Sequence, residues 1–457
     1  MSLYRTTHHD RMAPFAAVPG PEPTFPTGNA LDFATAANHP WEVCADYGRR
    51  YGRVSVFYMG AEPTLLLHDA ALIEQVLETD RHSYYKDNLV GALKPVLTES
   101  SPNIANGEDW VSKRAASPLT CQHARAWLAS QAGPLRRLFF ARFAALAEKT
   151  AAEPIAFLDQ VQRIIFDAFS IVTVGREIGD KAYHDFLTVA TEGSHRMLIP
   201  LPYGEELLPV ARHARERWHG VFAAALAETR LNPDPQRTDL TSLMIRMGTS
   251  LSDEAFVAEL GNVFFGGDFS VPSTLVTAAW CLTQRPDEAG KLRAGLAALP
   301  AEPGAADIEG CVRLDHVLRE AMRYKAAVPI FDRRVLPDRS ATLGGLTLPP
   351  NTRIFISNWL LHADADHWEK PEQFVPDRWN DGVAEANPLG SGYFFPFGLG
   401  PRMCMGMELA MFTMKVFLAT LYGSYRVEAG RGQTYDAGQE YFFGVRMPRG
   451  IQARLSR

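Results

Sequence analysis

Apolar side chains recur mostly at helical spacing along this chain of 457 residues. They return every three or four positions from about residue 70 to about residue 325, which predicts a long series of helices. Runs rich in β-forming residues occur at 51–69, where "GAEP" separates two of them, and at 340–357. One more apolar helix is predicted from about 406 to 422. The pattern therefore predicts a mainly α protein with small β-sheets.

Residues 1–38 differ from the rest because they are rich in proline and glycine, and we expect them to form an N-terminal surface arm. No repeat and no long linker divides residues 39–457, which we expect to form one catalytic domain. The N-terminus lacks the apolar core of a signal peptide, and no run of eighteen apolar residues predicts a membrane span.

Charge and cysteine usage narrow the function classes. The net charge is 46 − 52 = −6 and no long basic run is present, so nucleic acid is not expected as the main partner. Five widely scattered cysteines, an odd number, are typical of thiols in a reducing compartment, and we expect a cytoplasmic protein.

Cys404 follows a glycine-rich loop, "FGLGPRMCMG" (397–406), and precedes the last predicted helix. The glycine spacing is not that of a dinucleotide-binding fingerprint, and no strand precedes it. Such a cysteine is either a small buried hydrophobic residue or a ligand.

Two further stretches are unremarkable when taken alone. In "LDHVLREAMRYK" (314–325), Glu320 and Arg323 lie three residues apart on an amphipathic helix, a spacing that is typical of an exposed ion pair. In "PEQFVPDRW" (371–379), Arg378 stands between prolines, as a surface-loop arginine would.

Together and in this order, the three stretches resemble the cytochrome P450 family, the haem-thiolate oxygenases, and in particular its soluble bacterial type. The segments "YGRV" (51–54) and "GEDWVSKR" (107–114) are similar to the first strand and to a haem-flanking helix of that family. The order of elements fits from about residue 40 to about residue 449.

The resemblance implies a single-domain fold with haem b (iron protoporphyrin IX) between a long distal helix and the cysteine loop. Cys404 would be the metal ligand, and its thiolate would be stabilised by the helix that follows. Glu320, Arg323 and Arg378 would form a buried structural network. The other residues expected to bind the cofactor are Trp110, Arg114, Arg334, Phe397, Gly398, Arg402 and Gly406. Arg334 is preferred to its neighbour Arg333. Gly400 and Gly406 would permit the tight loop.

The distal helix resembles 259–286 but departs from the usual glycine, acid and alcohol pattern. Counting back from the proline that ends the helix puts Ser270 at the alcohol position and Phe269 at the acid position. The alternative register keeps Asp268 as the acid but makes the alcohol Phe269. Ser270 shares a face with Val263, Gly267 and Thr274, whereas Asp268 lies about 160° away around the helix. Pro272 either frees a carbonyl that holds a water near Ser270 or only bends the helix.

The leading functional hypothesis is a monooxygenase that inserts one oxygen atom from O2 into a hydrophobic small molecule. Electrons would come from a separate ferredoxin or flavodoxin-type carrier docking around Lys113, Arg114 and Lys415. One alternative is a peroxide-dependent peroxygenase, or an isomerase or dehydratase, of the same fold. Another is a haem-bearing scaffold without turnover. By the resemblance, the substrate pocket would include the apolar residues Val263, Phe264, Val328 and Phe443.

Overall fold

The computed structural model describes residues 2–35, 39–86, 92–97, 101–117, 119, 124–198, 206–386, 389 and 392–457. The chain divides into two compact units, each assembled from separate stretches of sequence. The first unit comprises Met1–Leu89, Met322–Phe374 and Asp381–Cys404. The second comprises Val90–Ala321, Val375–Asn380 and Met405–Arg457.

Helices make up most of the described chain. They are α1 Leu3–Thr7, α2 His9–Met12, α3 Ala30–Thr35, α4 Pro40–Tyr51, α5 Ala70–Glu74, α6 Lys94–Leu97, α7 Gly107–Ala116, α8 Ala124–Lys149, α9 Phe157–Val174, α10 Gly179–Leu198, α11 Pro209–Leu231, α12 Leu240–Arg246, α13 Asp253–Gly267, α14 Ser270–Gln284, α15 Pro286–Ala297, α16 Ala305–Glu309, α17 Val312–Tyr324, α18 Asn358–His362, α19 Val383–Ala386 and α20 Met407–Ser424. No helix in these described segments combines the length and the hydrophobicity needed to cross a bilayer.

The strands are short. They are β1 Val54–Met59, β2 Glu62–Leu67, β3 Tyr84–Tyr85, β4 Ile155–Ala156, β5 Phe331–Val335, β6 Ala341–Leu343, β7 Leu346–Leu348, β8 Arg353–Ile356, β9 Arg426–Ala429, β10 Gln439–Phe442, β11 Val445–Pro448 and β12 Gln452–Ser456. The first unit holds a five-stranded sheet in the order β1-β2-β8-β5-β3 and the hairpin β6-β7. The second unit holds the sheet β4-β12-β9 and the hairpin β10-β11. The prediction of a mainly α fold with small sheets is confirmed.

The core of the first unit lies against its five-stranded sheet. Alternate residues of β2 and β8, such as Leu65 and Ile354, are completely buried there. Tyr4 and Phe15 join the same cluster, and the Tyr4 hydroxyl donates a hydrogen bond to the Gly60 carbonyl at 2.5 Å. The N-terminal segment is therefore more than the expected surface arm, because two aromatic side chains anchor it in the core.

The second unit is built around its long helices and a cluster of buried aromatic rings. Phe264 on α13 is fully buried, with its ring centroid 4.8 Å from that of Trp218 and 5.2 Å from that of Phe166. Phe222 lies 5.6 Å from the same ring. Phe264 therefore packs in the helical core of this unit, whereas the family resemblance implied a place in the lining of the substrate pocket.

Glu320 on α17 is a completely buried carboxylate whose two oxygens are both occupied. Oε1 accepts hydrogen bonds from the Val375 backbone amide at 2.9 Å and from Arg378 Nε at 3.0 Å. Oε2 accepts one from Trp379 Nε1 at 3.0 Å. Glu320 thus holds the segment 375–379 against α17, which is a structural role.

We expect Glu320→Leu to lower the free energy of unfolding by about 3–5 kcal/mol, because it leaves the Arg378 guanidinium buried without its carboxylate. Urea denaturation of the purified protein measures this loss. The matched control is Glu302→Leu at an exposed position, where the change should stay within about 0.5 kcal/mol. Equal losses in the two variants would contradict the structural role of Glu320.

Candidate active site

The loop before Cys404 is held by its own backbone. The Gly398 amide donates to the Phe395 carbonyl, the Met403 amide to the Gly400 carbonyl and the Cys404 amide to the Phe397 carbonyl, each at 2.9 Å. These three bonds curl the chain so that the sulfur-bearing residue returns next to Phe397. The predicted residues Phe397 and Gly398 therefore lie in the same tight loop as Cys404.

Two glycines make this loop possible. Gly398 has φ +80° and Gly400 has φ +71°, which is the left-handed region that side chains disfavour. A Cβ at position 400 would lie 2.4 Å from the Leu77 carbonyl oxygen, so close approach also requires glycine there. Gly406, by contrast, has φ −84° at the N-cap of α20, a conformation open to any residue. The expectation that Gly406 is needed for backbone freedom is therefore not supported.

The Cys404 side chain is exposed. Cysteine is normally one of the most buried residue types, so an exposed one at the end of a constrained loop points to a ligand. The other described cysteines follow the usual rule and are buried: Cys44, Cys281 and Cys311.

Cationic side chains gather near Cys404 in the first unit. Burial, together with the charges of Arg333 and Arg402, lowers the pKa of Lys86 to about 8, while the charges of Asp332 and Cys404 oppose this shift. Lys86 and Arg333 were not among the chosen cofactor residues. Lys86 comes directly after the short strand β3, and that position was the only signal available for it in the sequence.

Arg333 is the most unusual of these cations. Its exposed fraction is 8%, and burial lowers its pKa to about 10. Its Nη1 donates to the Asp332 carbonyl at 2.7 Å, and among the described residues no carboxylate forms an ion pair with it. A buried guanidinium without a carboxylate is costly, and an anionic ligand would remove that cost.

Arg334, the arginine preferred from the sequence, points to other partners. Successive residues of β5 face opposite sides of the sheet. The Arg334 guanidinium forms an ion pair with Glu62 and donates to the Asn351 carbonyl at 2.9 Å. Arg353 lies 3.1 Å from the same Glu62 carboxylate. The preference therefore changes from Arg334 to Arg333, because Arg334 already has a carboxylate.

Haem carries two carboxylates and an iron that takes a thiolate, and the first unit provides groups suited to both. The exposed Cys404 matches the iron, and the cluster of Lys86, Arg333 and Arg402 matches the carboxylates. The residues present therefore fit this cofactor.

In the second unit, α7 carries the predicted Trp110 and Arg114. They lie four residues apart on one face of the helix, and both are partly buried. The Arg114 guanidinium carbon lies 5.7 Å from the Trp110 ring centroid. Lys113, on the same helix, lies 2.7 Å from Asp109.

The distal helix is interrupted, as the sequence around Pro272 indicates. Helix α13 ends at Gly267 and α14 begins at Ser270, with Asp268 and Phe269 forming a turn between them. The Ser273 amide donates to the Phe269 carbonyl at 3.1 Å. Pro272 has no amide proton to offer the Asp268 carbonyl, so the helical ladder is broken at that position.

The open side of this interruption is formed by Gly266 and Ser270. Gly266 is exposed, and a Cβ built there would meet nothing within 4 Å. The Ser270 hydroxyl donates to the Gly266 carbonyl at 3.1 Å. Gly267 was expected on the same face as Ser270, but a Cβ there would come within 2.6 Å of the Phe169 ring. Gly267 therefore faces the packed side of the helix. Gly266, which was not chosen from the sequence, is the glycine beside Ser270.

Asp268 points into the protein and is completely buried. Its Oδ2 accepts a hydrogen bond from Gln162 Nε2 at 3.2 Å, and its Oδ1 has no partner among the described residues. Burial raises the pKa of this carboxyl well above its usual value, although the bond from Gln162 opposes the shift. Asp268 therefore faces the protein interior and does not share the open face of Ser270.

The remaining predicted pocket residues divide between the two units. Val263 on α13 is 8% exposed, and Phe443 stacks on Phe265 with ring centroids 5.6 Å apart. Phe443 adopts φ +52° in the turn between β10 and β11, and its amide donates to the Ser194 hydroxyl at 3.0 Å. Val328, in the first unit, is partly exposed.

The chain is similar to known proteins over most of its length. Residues 18–449 match the family model described as cytochrome P450. Cytochrome P450 3A29 from Sus scrofa is 25% identical over 468 residues, which cover 93% of this chain and 88% of that protein. Cytochrome P450 3A41 from Mus musculus is 23% identical over 447 residues, covering 89% of this chain and 85% of the relative.

A plant relative extends the comparison. Beta-amyrin 11-oxidase from Glycyrrhiza uralensis is 24% identical over 428 residues, covering 88% of this chain and 83% of that protein. Mammalian and plant relatives do not support the narrower expectation of a soluble bacterial type. The match over residues 18–449 shows that the chain belongs to the cytochrome P450 family and is a haem-dependent monooxygenase.

Proposed function

We propose that this enzyme inserts one oxygen atom from O2 into a hydrophobic small molecule, with Cys404 as the thiolate ligand of its haem iron. The observation that carries the proposal is an exposed cysteine at the end of a loop that three backbone hydrogen bonds hold in place. Bound haem supplies oxygen activation, which an anionic sulfur ligand favours by donating electron density to iron. The chain's own part is to hold the sulfur, anchor the carboxylates and exclude water.

The carboxylate anchors that the first unit supplies in this proposal are Lys86, Arg333 and Arg402. Trp110 and Arg114, on α7, remain cofactor-binding residues by the family resemblance alone. Arg333 has the strongest case, because its guanidinium is buried and no described carboxylate pairs with it. Planar guanidinium groups bind carboxylates through two parallel hydrogen bonds.

The electron donor is proposed to be a separate ferredoxin or flavodoxin-type carrier. Two of the three cations expected at its docking surface form ion pairs within the protein. Lys415 lies 3.0 Å from Asp315 with its side chain 12% exposed, and Lys113 pairs with Asp109. Arg114, the third of these cations, is also a proposed cofactor-binding residue.

The thiols agree with a cytoplasmic location, which we retain as part of the proposal. The described cysteines form no disulfides with one another. Reduced thiols persist in the cytosol, where glutathione and thioredoxin keep cysteines reduced.

A different oxidant is the second candidate, and the buried Asp268 is the observation that favours it. A peroxygenase, or an isomerase or dehydratase of an oxygenated substrate, does not need an acid on the open face of the distal helix. Reconstitution distinguishes the candidates. Product formed with NAD(P)H and carrier proteins supports the monooxygenase, whereas product formed with peroxide alone supports the alternative.

The choice between the two arginines of β5 can be tested by haem retention. Arg333→Ala should release haem to excess apomyoglobin at least about tenfold faster than the unmodified protein, because hydrogen bonds to charged groups contribute about 1.5–3 kcal/mol each. Arg334→Ala removes one of the two arginines that pair with Glu62 and should change release by less. Faster release from Arg334→Ala than from Arg333→Ala would restore the original preference for Arg334.

Ser270→Ala should reduce the product formed per electron pair by roughly tenfold or more, because the hydroxyl on the open face is the proposed proton-handling group. The measurement compares product formed with NAD(P)H consumed in the reconstituted system. Asp268→Asn is the matched control and should leave this ratio unchanged, since its carboxyl faces Gln162. Unchanged coupling in Ser270→Ala would remove the hydroxyl from proton delivery.

Asp268 also predicts a pH dependence of stability. Its pKa is raised in the folded protein, so the folded state binds a proton that the unfolded state has lost. Between the unfolded pKa of about 4 and the folded pKa, stability therefore falls as pH rises. Asp268→Asn removes this dependence, and its stability relative to the unmodified protein should increase from pH 5 to pH 8 in urea unfolding. A difference that stays constant over this range would contradict a raised pKa, because a carboxyl that is already ionised in the folded protein at pH 5 contributes no slope.

A further inference from the structure

His362, at the end of α18, is completely buried in the first unit. Its ring lies beside two aromatic residues that begin the cysteine loop, with centroids 5.3 Å from Phe394 and 5.7 Å from Phe395. Its Nε2 accepts a hydrogen bond from the Phe395 backbone amide at 3.2 Å. The side chain therefore makes a direct polar contact with the backbone of the loop that ends at Cys404.

The protonation state of His362 is determined by its surroundings. Nε2 accepts a hydrogen bond, so the ring is neutral and carries its proton on Nδ1. Nδ1 faces the Met322 backbone without forming a bond of normal geometry. Burial, followed by the charge of Arg323, lowers the pKa of His362 to about 3. The acceptor lone pair is therefore present throughout the physiological pH range.

Arg323 fixes the backbone at the same residue. Its Nη1 donates to the carbonyls of His362 and Pro371, each at 2.9 Å, and its Nη2 donates to the Gln373 carbonyl at 2.8 Å. Arg323 is 1% exposed. The arginine thus anchors the main chain of His362, and the imidazole of His362 in turn anchors the main chain of Phe395.

The contact reaches Cys404 through short steps. The Phe395 carbonyl accepts from the Gly398 amide at 2.9 Å, and the Phe397 carbonyl accepts from the Cys404 amide at 2.9 Å. Phe395 is completely buried, so its amide has no water to replace the imidazole. Losing the acceptor would leave a buried N–H group unsatisfied at the point where the loop begins.

We propose that His362 is a positioning residue for Cys404, acting through the Phe395 amide, and this inference rests on the proposed role of Cys404 as haem ligand. The imidazole fixes the position of the Phe395 backbone, where the loop begins. The conformations of Gly398 and Gly400 and the hydrogen bonds of the loop then determine where the Cys404 sulfur lies.

The test uses two substitutions of similar length that differ in whether they can accept a hydrogen bond. In His362→Gln, the amide oxygen can accept from Phe395, whereas His362→Met offers only a weakly accepting thioether. The matched control is His367→Met in the same segment. The His367 ring stacks on Tyr393 at 4.6 Å, and its Nε2 has no partner.

Hydrogen exchange of the Phe395 amide in the haem-bound protein is the first measurement. We expect exchange about tenfold faster in His362→Met than in the unmodified protein, which corresponds to the loss of one net hydrogen bond. His362→Gln should exchange within about threefold of the unmodified protein, and His367→Met should match it. Equal exchange rates of this amide in the Met and Gln variants would overturn the proposal. Rapid exchange of the Phe395 amide in the unmodified protein would also overturn it, and that measurement does not depend on the folding of any variant.

The absorbance of the reduced, carbon monoxide-treated protein is the second measurement. Its red-displaced band reports a thiolate ligand, and the band should lose intensity over time in His362→Met but persist in His362→Gln. A structural effect on stability alone would reduce total haem in both variants without this difference between them.

Failure of the Cys404 assignment gives a different result. If Cys404→Ala keeps the red-displaced band, the ligand proposal is wrong whatever His362 does. The Phe395 exchange rates would still show whether His362 holds the loop.

Discussion

Arg333 is almost fully buried in the first unit, and no carboxylate of the described residues forms an ion pair with it, although the charge of the neighbouring Asp332 opposes the lowering of its pKa. Lowering that pKa from 12.5 to about 10 corresponds to roughly 3 kcal/mol of unfavourable burial. Burial also lowers the pKa of Lys86, to about 8. In the proposed function, a cofactor with two carboxylates would offset the cost of burying these cations. The strand β5, the glycine loop and the exposed sulfur would then all contribute to holding that cofactor.

One short segment of the distal helix places residues on two different faces, one open and one packed. In the segment from Gly266 to Ser270, the first and last residues face open space, while Gly267 and Asp268 are committed to packing. Gly267 admits the Phe169 ring, and Asp268 bonds to Gln162 on α9. The break at Pro272 allows α14 to start at a different angle from that at which α13 ends, so neighbouring residues can face the open and the packed side.

The order of motifs was sufficient to predict the family and the fold class. The tight loop before Cys404 could also be predicted, because Gly398 and Gly400 are needed there for local backbone reasons. The choice between neighbouring residues was not predictable. Arg333 and Arg334 differ by one position on a strand, and only the distant Glu62 decides which of them is already paired. Phe264 was assigned to the pocket from the family resemblance, but Trp218 and Phe166 place it in the core. Which face of an element is buried depends on partners that are remote in sequence.

In the proposed function, proton handling on the open face depends on the Ser270 hydroxyl, because the neighbouring Asp268 is buried and turned inward toward Gln162. The hydroxyl has one proton, and it is donated to the Gly266 carbonyl. In this state its oxygen acts only as an acceptor toward the open side. Rotating the hydroxyl so that its proton points outward breaks its hydrogen bond to the Gly266 carbonyl, which costs about 1 kcal/mol. A water that donates to this carbonyl in place of the hydroxyl offsets the cost. A serine is better suited to this exchange than a fixed carboxylate in the same protein, since its proton moves by rotation about one bond and not by ionisation in a buried environment.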